Sequence, residues 1–128
     1  RANFASSWST PENLGFHGQS PAISGDGLTI YYVVGGSANC GVSGPCVKRR
    51  SRPSVGAPFG APSDVALPGG LQYNSADISG DELTILVSYP GIDGQPIVQD
   101  STRANTAANF EVFQAIPALT YDITNRDA

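Results

Sequence analysis

The sequence predicts an all-β chain made of two copies of a four-stranded antiparallel unit. The stretch Ser20-Pro21-Ala22-Ile23-Ser24-Gly25-Asp26-Gly27-Leu28-Thr29-Ile30 recurs 55 residues later as Ser75-Ala76-Asp77-Ile78-Ser79-Gly80-Asp81-Glu82-Leu83-Thr84-Ile85, with eight of eleven positions identical. A second motif recurs every 51 residues: Arg1 with Trp8, Pro11 and Leu14, then Arg52 with Phe59, Pro62 and Val65, then Arg103 with Phe110, Phe113 and Ile116. Between them lies an apolar element running into the repeat Arg, Cys46 to Arg50 in one unit and Ile97 to Ser101 in the next. Units of this length made of strands and turns cannot bury their apolar faces alone, so they stack.

The elements follow in order. Residues 1–19 read as a leading outer strand and linker, because they carry the Trp8, Pro11, Leu14 copy of the second motif. The first unit spans 20–65, with strands at Ser20 to Ser24, Leu28 to Val34, Cys46 to Arg50 and Phe59 to Val65. The second spans 66–116, with strands at Ser75 to Ser79, Leu83 to Ser88, Pro96 to Ser101 and Phe110 to Ile116. Gly25, Asp26, Gly80 and Asp81 read as hairpin-turn residues, since Gly supplies positive φ and Asp bonds its own backbone. Leu28 to Val34 is β-branched and aromatic throughout, which places it at the covered centre of a sheet. In the tail, 117–128, the repeat stops; Tyr121 and Ile123 alternate with polar residues, as an added edge strand would.

Ile23-Ser24-Gly25-Asp26-Gly27-Leu28-Thr29-Ile30-Tyr31, and Arg52 running to Phe59-Gly60-Ala61-Pro62, resemble the WD-like β-propeller repeat of the TolB type, common in bacterial cell-envelope proteins. The chain departs from that pattern with Gly25 and Gly80 where the family usually has Pro, and with Glu82 where it has Gly. The resemblance implies two propeller-like blades, too few for a ring of four to eight. Three completions are open: association of several copies, a longer parent chain, or open stacking with neighbouring chains. The surplus N-terminal outer strand would then pair with a neighbouring edge or remain an arm.

Charge is mildly acidic, with 11 Asp and Glu against 7 Lys and Arg, and only 14% of residues are charged, which argues against nucleic acid. Lys48-Arg49-Arg50 with Arg52 is basic, yet alternate strand residues face opposite ways, so it is not one patch. No apolar run reaches the ~18 residues of a membrane span. The absence of Met and the start at Arg1 suggest removal of a leading segment or a fragment, with signal-peptide cleavage the natural candidate. Low charge with abundant Gly, Ser, Thr, Asn and Pro suits an exported protein, and with the resemblance points to a secreted, periplasmic or cell-surface bacterial location. Cys40 and Cys46 flank a Gly/Pro loop four residues longer than its counterpart. They are read as a disulfide, with free thiols or a metal site as alternatives.

No residue set assembles a catalytic constellation. His17 is the sole histidine and sits in a loop, and Asp26, Asp81 and Asp93 are turn residues. The chain is therefore expected to be no enzyme and to need no cofactor or metal. Arg52 and Arg103 are expected to hold carbonyls or carboxylates of the adjoining turn, locking unit to unit. Trp8, Phe59 and Phe110 are expected to pack between units; Trp8, Tyr31, Tyr73, Arg52 and Arg103 are the candidate ligand or interface residues. The preferred expectation is an exported scaffold that self-associates through sheet faces and terminal strands. The alternatives are a lectin-like binder of glycan or peptide, and a fragment of a larger envelope, filament or surface-layer protein.

Overall fold

In the computed structural model, which describes residues 10–36, 40, 44–69, 72–91 and 94–116, the chain forms two four-stranded antiparallel sheets. The first contains β1 (Gln19–Ile23), β2 (Thr29–Val34), β3 (Cys46–Ser51) and β4 (Ser63–Asp64); the second contains β5 (Ser75–Ile78), β6 (Thr84–Pro90), β7 (Pro96–Thr102) and β8 (Gln114–Ala115). Strands lie in chain order within each sheet, as short connections dictate. β2, central in its sheet, is buried over five of its six residues, as its β-branched and aromatic composition predicts. Residues 1–9 and the tail from 117 lie outside the described residues, and with them Arg1, Trp8, Tyr121 and Ile123.

The second sheet packs on the first through β5, which lies against β1 and β2. Tyr31, Val33 and Val47 of the first sheet meet Tyr73, Ala76, Ile78, Ile85, Val87 and Phe110 of the second in one core. Side chains alternate along a strand, so Ile30 and Tyr32 face the other way. The repeat makes this arrangement directional. Tyr31 corresponds to Leu86 and Tyr32 to Val87, yet Tyr31 and Val87 are buried between the sheets while Leu86 is 38% exposed. One kind of face on the first sheet thus packs on the opposite kind on the second.

On the outer face of the first sheet, Phe16 and Gly18 cover Tyr32. Phe16 lies 5.0 Å from the Tyr32 ring, and the Arg50 guanidinium sits 4.5 Å over Phe16. Arg50 Nε also donates to Tyr32 Oη at 3.0 Å. Volumes are exchanged between the two layers. Gly18 occupies the position corresponding to Tyr73, and a Cβ there would fall 2.4 Å from the Tyr32 ring. Large Tyr73 with smaller Val87 fills one layer, and Gly18 with large Tyr32 fills the other, conserving close packing.

Two expectations need correction. The outer strands are much shorter than Phe59 to Val65 and Phe110 to Ile116, pairing only at Ser63–Asp64 and Gln114–Ala115. The flanking residues keep only isolated bonds to the same neighbouring strands rather than a continuous ladder: Gly60 N–H donates to Ser51 O at 2.9 Å, Val65 N–H to Val47 O at 3.0 Å and Glu111 N–H to Thr102 O at 2.8 Å. The leading segment, where described, forms no strand; residues 10–18 run as irregular chain. The first strand also carries an irregularity its copy lacks, a register shift between Gln19 and Ala22 with Ser20 at φ 49°. Such an extra residue bends a strand and is a bulge.

Cys40 and Cys46 form a disulfide, which closes the longer loop between β2 and β3. No helix among the described residues is long and apolar enough to cross a membrane.

Candidate functional site

The two sheets repeat the same turn, bond for bond. Asp26 Oδ1 accepts from Ser24 Oγ at 2.6 Å and from Leu28 N–H at 2.9 Å, and Ser24 Oγ accepts from Thr29 N–H at 2.9 Å. Asp81 and Ser79 do the same at 2.6, 3.0 and 2.9 Å. These bonds hold both carboxyls below the usual Asp value of 3.8, the Ser hydroxyl contributing most and the backbone N–H next. The recurring aspartates are thus consumed in turn geometry.

A pH dependence follows from these shifts. Lowered native pKa values mean stability that is present above the unfolded value of 3.8 and lost as pH falls through the lowered native values. Asp26→Asn with Asp81→Asn is expected to flatten the acid limb of the unfolding midpoint. An unchanged acid limb would refute the assignment.

The positive-φ position of each turn is Gly27, at 72°, and Glu82, at 63°, rather than Gly25 and Gly80 as the sequence suggests. The repeat arginines grip that residue. Arg52 Nε donates to Gly27 O at 2.9 Å and Arg103 Nε to Glu82 O at 2.8 Å. Each guanidinium lies 4.6 Å over the ring of the equivalent aromatic, Phe59 or Phe110. Stacking and a carbonyl acceptor together fix a planar cation in one orientation.

Gly25 and Gly80 have a different reason to be glycine: the two turns touch. Gly25 N–H donates to Gly80 O at 2.7 Å, and a Cβ on Gly25 would lie 2.9 Å from that oxygen. Proline, the residue expected from the repeat resemblance, has no N–H to give.

At Arg103 a polar cluster bridges the sheets. Arg103 Nη2 donates to Tyr31 Oη at 3.0 Å, and Tyr31 Oη donates to Glu82 Oε2 at 2.6 Å. Arg103 Nη2 lies 3.7 Å from the same carboxylate oxygen. Tyr31 is 0% and Arg103 7% exposed. Burial, then the hydrogen bond and charge of Glu82, push the Tyr31 phenol above 10.0 against the opposing Arg103. A non-glycine residue in the left-handed region costs roughly 1–2 kcal/mol. At Glu82 that cost is offset by the carboxylate's contacts with the first sheet.

These placements sort the candidate residues. Tyr31 and Arg103 come together as an inter-sheet lock, and Arg52 sits in the equivalent frame within the first unit. Tyr31 and Tyr73 offer no ring to a ligand: both are buried, and Tyr73 Oη donates to Pro68 O at 3.0 Å. Trp8 lies outside the described residues, and His17 is exposed. The basic run is divided, with Lys48 paired to Asp64, Arg49 Nε on Ser63 Oγ at 3.3 Å and Arg50 on Tyr32 and Gly60. Sequence reasoning missed Glu82 as a functional group, although its departure from the repeat pattern was the signal. Among the described residues, no three of His, Cys, Asp and Glu gather as metal ligands would. The chain matches no family model, no curated protein and no solved structure in these comparisons.

Proposed function

We propose that the chain is a non-enzymatic, exported propeller-type scaffold that associates with copies of itself through its sheet faces. The observation that carries this reading is the directional stacking of the two sheets. The Tyr31, Val33, Val47 face of the first sheet is covered by the second, and the corresponding face of the second presents Leu86, Ser88 and Val98. What covers such a face within the chain is a sheet of this same repeat, so the fitting partner is the first sheet of a second copy. The contact is heterologous, closing into a ring or extending as a filament according to the angle per step. The likeness of the repeat to TolB-type blades supports the ring. The Cys40–Cys46 disulfide supports an oxidising, extracytoplasmic compartment. The Tyr31, Tyr73 and Phe110 rings are buried and offer no face for a lectin-like sugar platform.

Sedimentation velocity across a concentration series tests the reading. Association into a discrete species or a growing series is expected, and Leu86→Asp should reduce it at least tenfold without unfolding the chain. A chain that stays monomeric at submillimolar concentration, or an assembly indifferent to Leu86→Asp, would overturn it.

A further inference from the structure

We propose that Asp100 of one copy forms an ion pair with Arg52 of the next, and that this pair fixes the register of the contact between copies. The pairing rests on the self-association proposed above and names the charges that meet in it. Within the chain, the packing of one unit on the next is visible at Arg103. Arg103 and Phe110 are only 7% and 6% exposed. Beside them, Arg49 of β3 and residues 64–66 face the Thr106 to Phe110 loop across a cleft of about 90 Å³. The 51-residue repeat puts Arg52 and Phe59 in the places of Arg103 and Phe110, and Asn13 and Leu14 in those of Asp64 and Val65. There Arg52 and Phe59 are only half-buried, and the corresponding cleft, between residues 12–14 and the Gly56 to Phe59 loop, measures about 280 Å³. What that cleft lacks is the third-strand wall: among the described residues, none stands where Arg49 stands in the smaller one.

A second copy brings the opposite charge to that place. Repeating the packing step seen within the chain lays the second sheet of one copy on the first sheet of the next, so β7 takes the part of β3. Asp100 is the residue of β7 that corresponds to Arg49. It lies directly across from Leu86 in the register of β6 and β7, and so shares the face that the chain leaves uncovered. Among the described residues, neither Asp100 nor Arg52 belongs to an ion pair. The acid has changed sides between the two contacts. Within the chain, two arginines line one cleft and Glu82 supplies the carboxylate; between copies, Gly27 stands where Glu82 does and Asp100 supplies it. Arg52 is oriented for the task, with Nε on the Gly27 carbonyl and its plane over Phe59, which leaves the two Nη groups for an acceptor. Glu12 lines the same cleft, and a guanidinium has donors enough to serve both carboxylates. Charges placed this way set register and suppress wrong pairings.

Charge exchange tests the pair, read by sedimentation velocity of the full chain. Asp100→Arg alone and Arg52→Asp alone are each expected to weaken association about tenfold or more, because each sets like charges together. Mixed in equal amounts, the two variants are expected to recover it. The contact is heterologous, so every contact between unlike variants joins opposite charges. Asp100→Asn, which keeps the shape of the side chain, is expected to weaken association in the same direction and to make it less sensitive to salt. The β-sheet circular dichroism spectrum reports that each variant is folded. Undiminished association of folded Asp100→Arg, or no recovery on mixing the folded variants, would overturn the pair while leaving association through Leu86 standing. A monomeric unaltered chain would overturn both.

Discussion

Arg103→Ala is expected to destabilise the fold by about 3–5 kcal/mol, the cost of removing one partner from a buried charge pair. The equivalent Arg52→Ala is expected to cost about 1 kcal/mol, the net value of an ordinary hydrogen bond. The two arginines share a stacking ring and a carbonyl acceptor, so the difference isolates what Arg103 alone does. It satisfies the Tyr31 hydroxyl and neutralises Glu82, whose left-handed backbone those contacts help to hold in place. Without the guanidinium, a carboxylate and a phenol remain buried against each other. Urea unfolding of both variants under identical conditions reads the difference, and equal midpoints would remove the inter-sheet lock from the account. The same cluster sets an alkaline limit. The Tyr31 phenol is raised in the native state, chiefly by burial, so its contribution is fully present below 10.0 and is lost as pH rises through the raised native value.

The second large effect is an asymmetry between two glycines that the sequence presents as equivalent. Gly25→Ala is expected to cost about 1–3 kcal/mol, the range for overpacking a close contact. Its Cβ would lie 2.9 Å from the Gly80 carbonyl oxygen, an atom fixed in the backbone, and the two sheets must separate to admit it. Gly80→Ala would bring its Cβ no closer than 3.6 Å to the Gly25 backbone, and Gly80 is not among the positive-φ residues. Its expected effect is a gain of about 0.4–1 kcal/mol through reduced entropy of the unfolded chain. Thermal unfolding of the two alanine variants decides the matter. If Gly80→Ala were the more damaging, the inter-turn contact would not be the feature that joins the sheets.

Elements with local causes were legible in the sequence. The β2 run announces a buried central strand by composition alone, and the Ser-Gly-Asp turns announce themselves by side chains that bond within a few residues. The disulfide was legible too, because two cysteines flanked a loop longer than its copy. What escaped depends on the packing of one sheet against another. The outer strands were overestimated because Phe59 and Phe110 look like strand residues, while in three dimensions they serve as platforms for Arg52 and Arg103. Glycine at position 25 looked like turn chemistry and proved to be a matter of close approach from 55 residues away. Glu82 stood out only as an irregularity, since nothing local connects it to Tyr31, 51 residues earlier.

The exchanged volumes around Tyr32 and Tyr73 have a genetic corollary. A crossover that placed a second copy of the latter half after itself would set Leu86 against Glu82 and Arg103, with no hydroxyl between them. Duplicating the former half would set Tyr31 against Gly27, its hydroxyl facing no acid. The two halves are thus complementary parts that fit in one order, the hydroxyl of one answering the arginine and acid of the other.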